Sequence, residues 1–113
     1  MSDKDKANLL AIIDSCIKIQ NFTDDILDAD DLFADEKTFD AVLTNFVIIG
    51  ESVARLSENI KEKENQIPWL KIKDFRNLVA HDYFGVDAEE VWQIIKDRLP
   101  NLEEEINLIL SNR

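Results

Sequence analysis

Two glycines and two prolines are all that 113 residues contain, so this chain cannot turn often by the usual means, in which glycine supplies unusual backbone angles and proline fixes a bend. What remains is rich in helix formers, and its apolar residues recur at steps of three and four. The sequence therefore predicts an all-α fold. Over residues 4–22 the stripe Leu9, Ile12, Ile13, Cys16, Ile17 and Ile19 predicts a first amphipathic helix. Thr23, ahead of Asp24 and Asp25, predicts a capped short helix through residue 30, with 30–36 as a connection. Residues 36–64 read as one long helix of about 40 Å, on the steps of Phe39, Leu43, Phe46, Gly50, Val53, Leu56 and Ile60.

Gly50 inside that helix gives up about 1 kcal/mol relative to alanine, which predicts a close helix crossing with no room for a side chain. Pro68 suits the first position of a helix over 69–82, and Gly85 marks its end. Asp87 is placed to cap a last helix over 88–110. Pro100 in its middle removes a backbone bond and predicts a kink or break near Leu99. Four or five antiparallel helices with short connections make an up-and-down bundle, and residues 1–113 suffice for a single domain with one core. Trp69 and Trp92 are expected as core or interface anchors. Cys16 stands alone, so an internal disulfide is ruled out and a core position is expected. No segment has the run of apolar residues that a membrane span needs, and residues 1–6 lack the apolar core of a signal peptide, so the expected location is the cytoplasm.

The net charge of −11 works against a nucleic-acid partner, because phosphate backbones are bound mainly by lysine and arginine. It is unevenly spread. Residues 55–76 carry six basic side chains against four acidic ones, a local excess of +2, and the remainder of the chain carries −13. Residues 24–40 hold eight acids against Lys37 alone. That run reads as a solvated loop and helix start, or as a guide for a basic partner.

The chemistry-bearing side chains gather in one octet, residues 76–83: Arg76, Asn77, His81, Asp82 and Tyr83, including the only histidine and the only tyrosine. A fixed guanidinium for a phosphate and a ring that titrates near neutrality are what phosphodiester chemistry uses. On an ideal helix Arg76 and Tyr83 point within about 20° of each other, whereas Arg76 and His81 differ by about 140°. One regular helix cannot aim both at one phosphate. Either its end unwinds near His81 or two chains share the site. With one histidine and no clustered carboxylates besides Asp82 and Asp87, few ligands are left for a metal.

The spacing of arginine, four residues, histidine, one residue and tyrosine resembles the signature of the HepT-like toxins, a branch of the HEPN superfamily of small helical RNases. The flanks are similar too: Ile49-Gly50-Glu51-Ser52-Val53-Ala54-Arg55-Leu56-Ser57 and Ile67-Pro68-Trp69 upstream, then Phe84-Gly85-Val86-Asp87, Val91-Trp92 and Leu99-Pro100 downstream. The resemblance implies a homodimeric bundle of HEPN type with the motif in a cleft at the two-fold interface. It implies metal-independent cleavage of RNA with no cofactor and no DNA substrate, with Arg76 and His81 as catalytic residues and Asn77 and Asp82 supporting them. It also implies the toxin half of a toxin–antitoxin module. The partner would be a minimal nucleotidyltransferase antitoxin that binds the toxin and transfers AMP to Tyr83.

Blander roles stay open at this point. His81 can serve as a charge near a helix C-terminus, and Arg76 can pair with Asp74, Asp82 or Glu51. Tyr83 and Phe84 can form an aromatic lid on the core. The chain can also be a non-catalytic subunit that binds a nucleotide or substrate for an accompanying transferase, which the acidic surface favours, or a purely structural helical dimer.

Overall fold

The computed structural model describes residues 1–111, the side chain of Phe84 excepted, and every regular element among them is helical. Helix α1 (Asp3–Phe22) opens where Ser2 Oγ accepts from the Asp5 N–H at 3.0 Å. It closes at Thr23, whose hydroxyl donates to the Ile19 carbonyl at 2.8 Å. Thr23 therefore ends the first helix instead of starting the second. Helix α2 (Ala29–Ala34) begins later than expected, capped by Asp28, whose carboxylate accepts from the Asp31 N–H at 2.8 Å. Asp30 and Asp31 then sit in its first turn, where negative charge is favourable.

Helix α3 (Glu36–Arg55) is capped by Asp35, which accepts from the Thr38 N–H at 3.1 Å. It stops nine residues short of the expected end. Leu56 is extended, with φ −66° and ψ 147°, and Ser57 caps a separate helix α4 (Glu58–Lys63) by accepting from Ile60. The break is held from a distance, because the N–H and hydroxyl of Ser57 donate to the Asp5 carboxylate at 2.8 and 2.6 Å. Burial pushes the Asp5 carboxyl up, but these bonds, with Ser2 and Lys4, outweigh it and leave the carboxyl below its ordinary 3.8.

Helix α5 (Trp69–His81) carries the motif, with Pro68 one place earlier than expected, at the cap. Helix α6 (Ala88–Gln93), capped by Asp87, runs through a π-helical turn (Ile94–Arg98) into α7 (Leu99–Ser111). No break occurs at Leu99. Its N–H bonds the Ile94 carbonyl five residues back, and this widened turn makes room for the proline ring and its missing donor.

Helix α3 lies between α1 and α5, while α7 packs on α1 and α2 on α6. Asp5, at the start of α1, meets Ser57 just past the end of α3, so those two helices are antiparallel. Tyr83, past the end of α5, meets Asp40 near the start of α3, so α5 is antiparallel to it as well. The apolar stripe of α3, from Phe39 to Val53, is consumed by the chain's own core together with Leu9, Ile12, Val79, Val91 and Ile106. Trp69 and Trp92 join that core, as does Cys16, whose thiol burial pushes up to about 12, with Glu103 adding to the shift.

Candidate active site

The Arg76 end of the motif is built into the crossing of α3 and α5. Trp69 and Val79 are buried on the inner face of α5, and the Phe75 ring meets Phe46 of α3 edge-on with centroids 5.3 Å apart. Arg76 follows directly. A methyl group on Gly50 would overlap its Cβ and Cγ, so the missing side chain of Gly50 is the space that the Arg76 stem occupies. The expected close crossing is present, and the motif arginine is what fills it. The next residue of α3 supplies the partner: Arg76 Nη1 donates to Glu51 Oε1. The Arg76 side chain is 17% exposed and that of Glu51 41%. Of the three acids that sequence offered to Arg76, Glu51 is the one used. Arg76 Nε is buried and has no hydrogen-bond partner among the described residues.

The other end is open. Helix α5 stays regular to His81, its last residue, and both His81 and the neighbouring Asp82 are exposed. Asn77 is half-buried, and among the described residues neither its side chain nor that of His81 is hydrogen-bonded. Because no unwinding precedes His81, Arg76 and His81 keep their separation of about 140° around the helix. The Asp82 N–H closes the helix on the Leu78 carbonyl at 2.9 Å. Its carboxylate folds over Gly85, where a methyl group would overlap both oxygens. Gly85 ends a short 3-10 turn (Tyr83–Gly85), and no described glycine has a positive φ. Its role is therefore room for Asp82, since the helix whose end it was expected to mark has already stopped at His81.

Tyr83 departs most from expectation. The helix has ended before it, so the shared face with Arg76 does not form. Its hydroxyl donates instead to Asp40 Oδ1 at 2.5 Å. That hydrogen bond, then burial and the negative charges of Asp40 and Glu36, push the phenol up to about 12. Asp40 and Glu51, the anchors of Tyr83 and Arg76, are eleven residues apart on α3, or about 16 Å along its axis. Nothing in the sequence singled out Asp40. The Phe84 half of the expected lid lies outside the described residues. Among those described, no group of three or more His, Cys, Asp or Glu could hold a metal ion. No helix among them is long and apolar enough to cross a membrane.

A helical domain that carries Arg-X4-His-X-Tyr across the end of a helix fits the resemblance, and comparison with known proteins bears out that family. The family model for HepT-like ribonucleases matches residues 12–109, and the chain belongs to that family. A Methanocaldococcus jannaschii protein named as a candidate RNase is 34% identical over 99% of this chain and 93% of its own length. A protein of Thermococcus cleftensis named "Probable ribonuclease HepT" is 34% identical over 75% of this chain and 76% of its own length. A third, from M. jannaschii, is named as a gamma-glutamylcyclotransferase and candidate RNase. It is 36% identical over 94% of this chain, which spans 47% of its length, about half. No solved structure matches significantly.

Proposed function

We propose that the chain is an endoribonuclease that cleaves RNA without a metal ion, the 2′-OH attacking the adjacent 3′-phosphate. His81 moves the proton as general acid or base, Arg76 stabilises the charge that develops on the phosphate oxygens, and Asn77 and Asp82 support them. One observation carries the reading: in a member of this family, a cation restrained at a helix crossing is followed five residues later by an exposed imidazole. The angular separation of the two supports a site completed by a second copy of the chain. The stripe of α3 is spent in the core, so a dimer needs another surface. Leu70 and Leu78 of α5 are exposed. Between α5 and α6–α7 lies a groove of about 600 Å³ floored by Phe46, Ile49, Ile72, Phe75 and Ile94.

The chain acts in the cytoplasm as the toxin of a toxin–antitoxin module, held in check by a nucleotidyltransferase antitoxin. In the modification step Tyr83 Oη attacks the α-phosphorus of ATP. The new O–P bond forms as the bond to the β-phosphate oxygen breaks, pyrophosphate leaves, and the phenol proton passes to Asp40. The geometry alters what that step does. The esterified oxygen can no longer donate to Asp40, and its phosphate sits beside the charges of Asp40 and Glu36, so the turn is driven away from α3.

The net charge of −11 favours the second reading, a non-catalytic subunit that binds nucleotide for a transferase. Incubation of single-stranded RNA with the purified chain and a chelator separates the two. The proposal expects cleavage with 2′,3′-cyclic phosphate ends and none of the matching DNA. Intact RNA at high enzyme concentration supports the binding subunit, and cleavage that requires added Mg²⁺ contradicts the metal-free mechanism.

A further inference from the structure

We infer that Glu51 is a positioning residue for the RNA-cleaving reaction, holding Arg76 in the pose that receives a scissile phosphate and limiting how tightly that phosphate is held. The inference rests on the reading of Arg76 as a catalytic cation. Three features of α3 and α5 converge on it. Gly50 makes the space for the Arg76 stem, Glu51 on the next residue takes Nη1, and Nε is buried with no acceptor. An ion pair serving stability alone gains most from a two-pronged contact that satisfies Nε and a terminal nitrogen together. Here Nε is left unsatisfied, a pose unfavourable for the fold by itself. The guanidinium is instead pinned at one corner, and its remaining terminal N–H groups are left to a phosphate.

The carboxylate has a second consequence. It partly neutralises Arg76, so an RNA phosphate competes with Glu51 for the cation, and a cleaved product phosphate is displaced by it. Removing the charge while keeping the shape should therefore move two kinetic constants in ways that a structural role does not. In Glu51→Gln the guanidinium is less firmly oriented, and kcat is expected to fall about tenfold or more, since small misplacements of a reacting group are costly. KM for RNA is expected to fall about two- to fivefold, the effect of removing one partly exposed carboxylate from the cation. Glu51→Asp keeps the charge and shortens the reach, so kcat falls by less and KM stays near the wild-type value.

The experiment measures kcat and KM of the full chain on a single-stranded RNA oligonucleotide for wild type, Arg76→Ala, Glu51→Gln and Glu51→Asp, with circular-dichroism melts of each. Wild-type cleavage, near-complete loss in Arg76→Ala, and lowered kcat with lowered KM in Glu51→Gln support the inference. If Arg76→Ala cleaves like wild type, the catalytic reading of Arg76 fails and takes the role of Glu51 with it. If Arg76→Ala is inactive while both Glu51 variants retain the wild-type kcat, the role of Glu51 alone is overturned. Should Glu51→Gln not fold, Glu51→Asp decides by the same kcat comparison.

Discussion

The two ends of the motif are held by opposite means. At Arg76 the helix is pressed against α3 so closely that a single methyl group on Gly50 has no place, and the guanidinium is tied to Glu51. Five residues on, His81 stands exposed at the last helical position, followed by a turn that touches α3 through Tyr83 and Asp40. The core fixes the guanidinium and leaves the imidazole free. On the proposed mechanism the first has to be aimed and the second has to meet substrate and water. The only two glycines in the chain serve these two ends, Gly50 making room for Arg76 and Gly85 for the Asp82 carboxylate.

The contrast breaks most visibly at Arg76. Arg76→Ala is expected to lower RNA cleavage by about a hundred- to thousandfold, the usual cost of losing a preorganised charge that stabilises the transition state. It should also lower stability by about 1–2 kcal/mol, because a packed stem and a charged hydrogen bond are lost with it. Rates and a denaturant melt report both. Loss of activity with no change in the melt would mean that Arg76 is not anchored as described.

The glycines sharpen the comparison. Gly50→Ala should gain about 1 kcal/mol in helix propensity and lose about 1–3 kcal/mol to overpacking. The first atom it meets is Arg76 Cβ, which is fixed to the backbone and cannot swing aside. Net destabilisation and reduced cleavage are expected. Gly85→Ala meets only the end of the Asp82 side chain, which can rotate away, so its melt should stay within about 0.5 kcal/mol of wild type, as for an exposed site. Equal costs at the two positions would contradict the distinction.

Smaller effects come from the open end. Tyr83 is the only tyrosine, so an ultraviolet titration of phenolate reads it alone. The midpoint is expected near 12, and Asp40→Asn should bring it back towards 10, because the Asp40 hydrogen bond is the first cause of the shift. The folded pKa is raised, so the Tyr83–Asp40 pair stabilises the fold below pH 10 and that contribution fades as pH climbs towards 12. Tyr83→Phe, 37% exposed at this position, should cost under about 1 kcal/mol and leave cleavage intact. A midpoint near 10 in wild type would show that the turn is not docked on α3.

The core was legible in the sequence because a buried stripe leaves a period: α1, the inner face of α3 and the last helix follow directly from it. The period misled where it continued across a break. Leu56 and Ile60 are both buried, so the apolar rhythm runs on through a kink that only the Ser57 cap and its distant partner Asp5 create. Thr23 misled because the same hydroxyl suits either end of a helix. The motif could be read as a set of residues, and Gly50 as a crossing, but not the link between them. Glu51 was one of three acids within sequence reach, and Asp40 lies 43 residues from Tyr83 with no local pattern to pair them. Angular arithmetic placed Tyr83 beside Arg76 only by assuming a helix that in fact ends at His81.

His81→Ala tests the account most directly, by single-turnover cleavage of RNA set beside the thermal midpoint of the same preparation. An exposed helix-end imidazole without a side-chain partner has little to contribute to the fold, whereas a positioned proton carrier is worth about a hundred- to ten-thousandfold in rate. The account predicts a loss of cleavage in that range with a midpoint within about 2 °C of wild type. Cleavage at the wild-type rate would contradict it, and so would a large drop in the midpoint, which would make His81 a residue that holds the fold together.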